Sequence, residues 1–167
     1  SLVFFSCSSF DWWYTYTDEH IEILFPCTFQ KETENYEGVG KNIIISCKCD
    51  GVEYIVTKST YTSFFREQFK NRSVKSLIQG AVDGAVHSTK SSGMYKVGQW
   101  DIEKNGFNGT RYQMKGNFEF GIPFVDSYLY FIDNKLYSIK IAFDKSQLDP
   151  YKNYVEGVPE FLNFTLK

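Results

Sequence analysis

The stretch from Ser127 to Phe143, SYLYFIDNKLYSIKIAF, decides the fold of this 167-residue chain. Two runs rich in β-branched and aromatic residues flank Asp133-Asn134, a pair that tolerates the positive φ of a tight primed turn. The stretch is therefore a β-hairpin. With those two residues as the turn, Tyr130 lies opposite Tyr137 and Tyr128 opposite Ile139. Side chains alternate along a strand, so Tyr128, Tyr130, Ile132, Tyr137, Ile139, Ile141 and Phe143 share one face, which belongs in a core. The opposite face mixes Ser127, Ser138 and Lys140 with Leu129, Phe131 and Leu136. That mixture points to water at one end and partial cover near the turn.

A second hairpin occupies Asn42 to Lys58, and charge alone tests its register. With Asp50-Gly51 as a type I′ turn, Cys49 faces Val52, Lys48 faces Glu53 and Cys47 faces Tyr54, so opposite charges meet. One face then collects Ile43, Ile45, Cys47, Cys49, Val52, Tyr54 and Val56. Further upstream, Ile21 to Phe25 alternates cleanly and is stopped by Pro26, which marks a strand. Trp12 to Thr17 (WWYTYT) reads as an edge strand, and Cys27 to Glu34 as a more polar one.

Two helices follow. Ser63 is expected to cap a short one carrying Phe64, Phe65 and Phe69, and Ser73 a longer one running to about Ser88. In the longer helix Val74, Leu77, Ile78, Ala81, Val82, Ala85 and Val86 repeat at the spacing of a buried stripe. Ser76, Gly80 and Gly84 make a small-residue row beside it, which predicts close approach to a neighbouring surface. Met94 to Glu103 and Thr110 to Phe120 then join the opening hairpin in a four-stranded antiparallel meander. Pro159 to Phe164 reads as a short closing helix with proline in its first turn. The fold class is α+β, an antiparallel sheet with helices packed on it, in one domain spanning residues 11–167.

Composition narrows the function. Eighteen basic against twenty acidic residues give a net charge of -2, which leaves no electrostatic footprint for nucleic acid. No stretch reaches the length of a membrane span. Aromatic residues make up 19% of the chain, more than one small core readily encloses, so some are expected to face a ligand or partner. At the start, Leu2-Val3-Phe4-Phe5-Ser6-Cys7-Ser8-Ser9 reads as the tail of a bacterial lipoprotein signal, with residues 1–10 as signal remnant and tether and Cys7 as the acylated residue. The alternative is an apolar first strand with an ordinary cysteine. An acyl chain on Cys7 would tether the domain to the membrane of a bacterial cell envelope.

Candidate chemistry has ordinary explanations. The chain has two histidines: His20 lies in a polar turn, and His87 ends a helix where a cation suits the dipole. Neither accompanies a nucleophile signature. Cys47 and Cys49 point the same way from one strand, and Cys27 could join them in a thiolate site or a disulfide. Zinc sites use wider pairs and a fourth ligand, so buried hydrophobic thiols are the favoured reading. Asp126, Asp133, Asp144 and Asp149 read as solvated residues at strand ends and turns. No cofactor or metal motif is present.

Ile23-Leu24-Phe25-Pro26, Gly109-Thr110-Arg111-Tyr112, Leu136-Tyr137 and Phe161-Leu162-Asn163-Phe164, in this order of elements, resemble the PsbP-like superfamily. The resemblance implies an α/β sandwich with one antiparallel sheet and no particular chemistry, since that superfamily serves mainly as binding and accessory modules. The expectation is thus a non-enzymatic envelope lipoprotein acting as an accessory subunit with a protein partner. A ligand-binding module, for glycans among others, is the second reading, with Trp12, Trp13, Tyr14 and Trp100 as stacking platforms.

Overall fold

The computed structural model describes residues 14–49, 51–116, 124–143 and 163–167. In chain order its strands and helices are β1 (Tyr14–Thr17), β2 (Ile21–Phe25), β3 (Gln30–Tyr36), β4 (Gly40–Cys49), β5 (Val52–Tyr61), α1 (Ser63–Glu67), α2 (Val74–Thr89), β6 (Tyr95–Lys104), β7 (Phe107–Lys115), β8 (Phe124–Ile132), β9 (Lys135–Phe143) and β10 (Asn163–Leu166).

Both hairpins take the register their turns dictate. Asp133 and Asn134 adopt φ of 46° and 60°, the left-handed pair of a primed turn. Tyr130 accordingly pairs with Tyr137 and Tyr128 with Ile139. Gly51 takes φ 78°, and Lys48 stands opposite Glu53 with Cys47 opposite Tyr54. The two hairpins join edge to edge through β5 and β9, and β6 and β7 continue on the far side. The result is one seven-stranded antiparallel sheet in the order β3-β4-β5-β9-β8-β7-β6.

The sheet is covered on both faces, so the molecule has three layers. On one face a second sheet, ordered β1-β2-β10, lays Ile21, Ile23, Phe25, Phe164 and Leu166 against the aromatic and β-branched face of both hairpins. This is the main core, and each fully buried side chain there contributes about 1.5–3 kcal/mol. On the other face α2 presses Ile78 and Val82 onto Tyr112, Met114 and Leu129.

Several expectations need correction. The architecture has two sheets rather than one. Asn163 and Phe164 belong to a strand, not a helix: β10 pairs antiparallel with β2, Phe164 opposite Ile23 and Leu166 opposite Ile21. Residues 159–162 of the expected helix lie outside the described residues. The Ser127 and Ser138 end of the hairpin's second face is buried instead of wet. The cap of α1 is Thr62, whose hydroxyl accepts from the Phe65 N–H, while Ser73 caps α2 as expected. Ser76, Gly80 and Gly84 face solvent, and a side chain added at Gly80 or Gly84 would meet nothing within 4 Å, so that row serves no close packing.

Candidate functional site

Sheet register builds a side-chain row across β6, β7 and β8. Trp100 stands opposite Arg111, and Arg111 opposite Tyr128, so all three point to the face that carries the small sheet. The guanidinium lies between two aromatic rings, 5.7 Å from the Trp100 centroid and 5.4 Å from that of Tyr128. Asp126, one step along β8 on the same face, fixes its orientation. Arg111 Nε donates to Asp126 Oδ1 at 2.9 Å and the terminal nitrogen Nη2 to Oδ2 at 2.7 Å, a two-pronged fork. The Tyr128 hydroxyl donates to the same Oδ2 at 3.3 Å. Asp126 is 6% exposed and Arg111 18%, so water screens this pair weakly.

The row has an open end and a closed end. Trp100 is 48% exposed on the outermost strand, its ring laid over Gly98, where an added Cβ would fall within 2.2 Å of the indole. Tyr95 and Val97, on the same strand, are also exposed. At the other end Phe164 of β10 packs edge-on to Tyr128 at 6.0 Å, with the Lys104 ammonium 4.2 Å above its ring. Beside Phe164 lies a cleft of about 200 Å³ lined by Ile102, Glu103, Lys104, Arg111, Tyr128, Tyr130 and Phe164. The site is therefore a cation sandwiched by aromatic rings at the rim of a shallow cleft, with its orientation fixed by Asp126.

Asp126 therefore overturns its reading as a solvated turn residue. It lies inside β8, and its carboxylate is consumed by Arg111. The pairing was hidden because it depends on the β7–β8 register, and no short turn between those strands sets that register from sequence. Trp100 is exposed as expected of a platform, and so is Tyr14. The two are not brought together. The β1 edge bearing Tyr14 packs through Tyr16 near Phe29 and Lys31, beside β3, whereas Trp100 sits on β6 at the opposite end of the large sheet. Trp12, Trp13 and Cys7 lie outside the described residues.

A second polar cluster lies at the β1–β2 turn, and its contacts are structural. Asp18 Oδ1 accepts the backbone N–H groups of His20 and Ile21 at 2.9 and 3.0 Å. Its Oδ2 accepts the Lys58 ammonium from β5 at 3.0 Å, with the Tyr137 hydroxyl donating at 3.4 Å. Glu19 receives Lys58 and Lys135, both at 2.7 Å. The turn of the small sheet is thus tied to two strands of the large one. His20 packs edge-on against Tyr137, with Nε2 3.3 Å from Asp133 Oδ2; His87 occupies the last turn of α2.

These contacts shift ionisation. Hydrogen bonds from Lys135 and Lys58 hold the Glu19 carboxyl down at about 2. Burial opposes the charge on Lys58, but its bonds to Glu19 and Asp18 outweigh that and raise its pKa. Because the folded pKa of Glu19 is depressed, its contribution is present above the unfolded value near 4.5 and is lost as pH falls through about 2. The carboxylate is half-exposed, so the contribution is under ~1 kcal/mol. Urea unfolding of wild type and Glu19→Gln at pH 6 and near pH 2 checks this, with the gap between them closing at the lower pH.

Cys27, Cys47 and Cys49 cluster beside the main core as thiols, and burial pushes the Cys47 thiol up. No group of three His, Cys, Asp or Glu side chains able to hold a metal ion occurs among the described residues. No helix among them is long and apolar enough to cross a membrane.

No family model matches the sequence, and no curated protein matches it. Among solved structures it is similar to cyanobacterial PsbP (CyanoP) from Synechocystis sp. PCC 6803. The identity is 10%, the TM-score is 0.55, and the match covers 90% of this chain and 91% of that one. A protein of unknown function from Pseudomonas aeruginosa, PA94, also matches, with 10% identity, a TM-score of 0.43 and coverage of 86% of this chain and 91% of that one. The likeness to CyanoP spans nearly the whole chain: the fold is PsbP-like.

Proposed function

We propose that this chain is a non-enzymatic accessory subunit of a bacterial envelope assembly, tethered to the membrane by an acyl group on Cys7 and docked on a protein partner through the Trp100–Arg111–Tyr128 row. The observation that carries the docking half is the preorganised row. Tryptophan, tyrosine and arginine are the residues that dominate protein interfaces, and Asp126 holds this arginine in one geometry before any partner arrives. The other large polar cluster, around Asp18 and Lys58, joins the two sheets and has its polar groups engaged in doing so. The tether is supported by the context of Cys7 in Leu2 to Ser9 alone.

The test is co-purification from native membranes. A partner retained by wild-type protein is expected to be lost with Trp100→Ala, while that variant unfolds within ~1 kcal/mol of wild type because the ring is half-exposed. A partner held equally by both removes the row from the interface. Mass spectrometry of the native protein finding Cys7 without an acyl group removes the tether.

A second reading is favoured by the exposed indole itself, which is a stacking surface for a sugar ring. Since Tyr14 lies at the far end of the sheet, such a site would rest on Trp100 with Arg111 and Tyr128. Tryptophan fluorescence that shifts with one glycan of a panel in wild type, but not in Trp100→Ala, would favour this reading over protein docking.

A further inference from the structure

On the helix side of the large sheet, away from Trp100, the segment 63–76 (SFFREQFKNRSVKS) carries Arg66, Lys70, Arg72 and Lys75 against Glu67 alone, in a chain of net charge -2. The clustering survives folding. Arg66, Lys70 and Arg72 line one concavity of about 490 Å³ with Phe69, Leu77 and Phe131. Lys75 lines the adjoining one, about 550 Å³, and Val74 and Phe131 belong to both. All four basic side chains are exposed. Lys70 and Lys75 have only exposed carboxylates as partners, Glu67 and Asp101, and such pairs exchange readily for other anions.

Apolar side chains are exposed in the same segment. Phe64, on α1, is 72% exposed, the highest value among the large hydrophobic residues described, and Val74 is 45% exposed. Its neighbours Phe65 and Phe69 have packing partners: they stack with one another and with Tyr61, and Phe69 reaches Phe131. Phe64 contributes nothing to that cluster. An exposed phenylalanine in a segment that carries four long cations is costly for a surface in water, and it is the composition of a face that rests at a lipid interface. There the ring enters the acyl boundary while the basic heads meet phosphates.

We infer that this face binds the surface of an anionic phospholipid membrane, with Arg66, Lys70, Arg72 and Lys75 on the headgroup phosphates and Phe64 inserted between them. The inference takes from the proposed function only that a membrane is at hand. Protein without an acyl group on Cys7 tests it separately from the tether. The charge complementarity is what selects this occupant: an apolar groove alone would suit any partner, whereas exposed basic side chains lining adjoining grooves, in a segment that also exposes a phenylalanine, are matched by a negatively charged bilayer.

The experiment is co-sedimentation of full-length, non-acylated protein with vesicles of phosphatidylcholine, with and without roughly one-third phosphatidylglycerol. Wild type is expected to bind only the anionic vesicles, and to be released as salt rises from about 50 to 500 mM. Arg66→Glu with Arg72→Glu should weaken partitioning at least about tenfold. Phe64→Ser should weaken it with the salt response kept, and Lys41→Glu, at an exposed site on β4, should leave it unchanged. All of these positions are exposed, and circular dichroism confirms the fold of each variant. Equal binding to both kinds of vesicle, no binding to either, or equal loss with Lys41→Glu and with the Arg66/Arg72 pair would overturn the inference. Release of bound wild type by inorganic phosphate at matched ionic strength, with no recovery of binding at higher vesicle concentration, would assign the patch to a soluble phosphate and overturn it equally.

Discussion

Asp18→Ala is expected to lower unfolding free energy by about 3 kcal/mol, because it strips a nearly buried cation of one partner and two backbone donors of their acceptor. Asp18 and Lys58 side chains are 10% and 11% exposed, so water replaces little of what is lost. For a domain of this size the loss corresponds to roughly 10 °C in melting temperature. Asp18→Asn should fall between the two proteins, since its amide oxygen can still accept from the His20 and Ile21 N–H groups while the charge is gone. Asp133→Ala, at a 75% exposed carboxylate that touches only His20, should change stability by less than ~0.5 kcal/mol. Thermal unfolding of the three variants separates a network that joins the two sheets from a set of surface ion pairs. Equal, small effects for all three would mean that the β1–β2 turn is not the clamp it is taken to be.

Gly109→Ala is expected to cost about 2–3 kcal/mol, for a different reason. Gly109 stands opposite Tyr130, and a Cβ there would come within 2.5 Å of the Leu129 carbonyl oxygen and 2.6 Å of the Tyr130 ring. Neither can yield. The carbonyl is backbone, and the ring is buried against Phe164, 6.1 Å away. The damage should therefore spread to β10, which Phe164 anchors. Gly84→Ala, on the exposed face of α2 with nothing nearby, should instead stabilise by about 0.5–1 kcal/mol through helix propensity. Urea denaturation of the pair distinguishes steric exclusion at Gly109 from a general intolerance of alanine for glycine.

Local chemistry made the large sheet legible. Asp133-Asn134 and Gly51 set their turns, and once a turn is set the period-two alternation leaves one register that buries Tyr137 and Ile139. What stayed hidden depended on pairings between residues distant in the chain. β10 is the clearest case. Asn163 to Leu166 buries Phe164 and Leu166 and exposes Thr165, a strand alternation, but a short segment after a proline fits a helix equally well until β2, paired with β1 on one side, is seen to lack a neighbour on the other. The Gly80 and Gly84 row predicted a close approach that does not occur, because α2 packs through its Ile78 and Val82 stripe and leaves the glycines to solvent.

The candidate site was legible only in part. Trp100 was named among the stacking platforms because the aromatic excess asks for exposed rings, and it is 48% exposed. Arg111 and Asp126 did not, since a charged residue in a strand reads as solvent-facing unless its cross-strand partner is known. The useful signal was present without being decisive: Gln113 and Asp126, polar residues at inward positions of β7 and β8, interrupt faces that should have been apolar. A buried polar pair in an aromatic sheet asks for a partner, and here the partner of Asp126 is Arg111.

The most direct test places a photo-crosslinking residue, p-benzoylphenylalanine, at Trp100 and, in a second protein, at Tyr36 on the β3 edge, and irradiates both in native membranes. The account predicts a discrete protein adduct from position 100 that is absent from position 36. No adduct from position 100, or the same adducts from both positions, would contradict it.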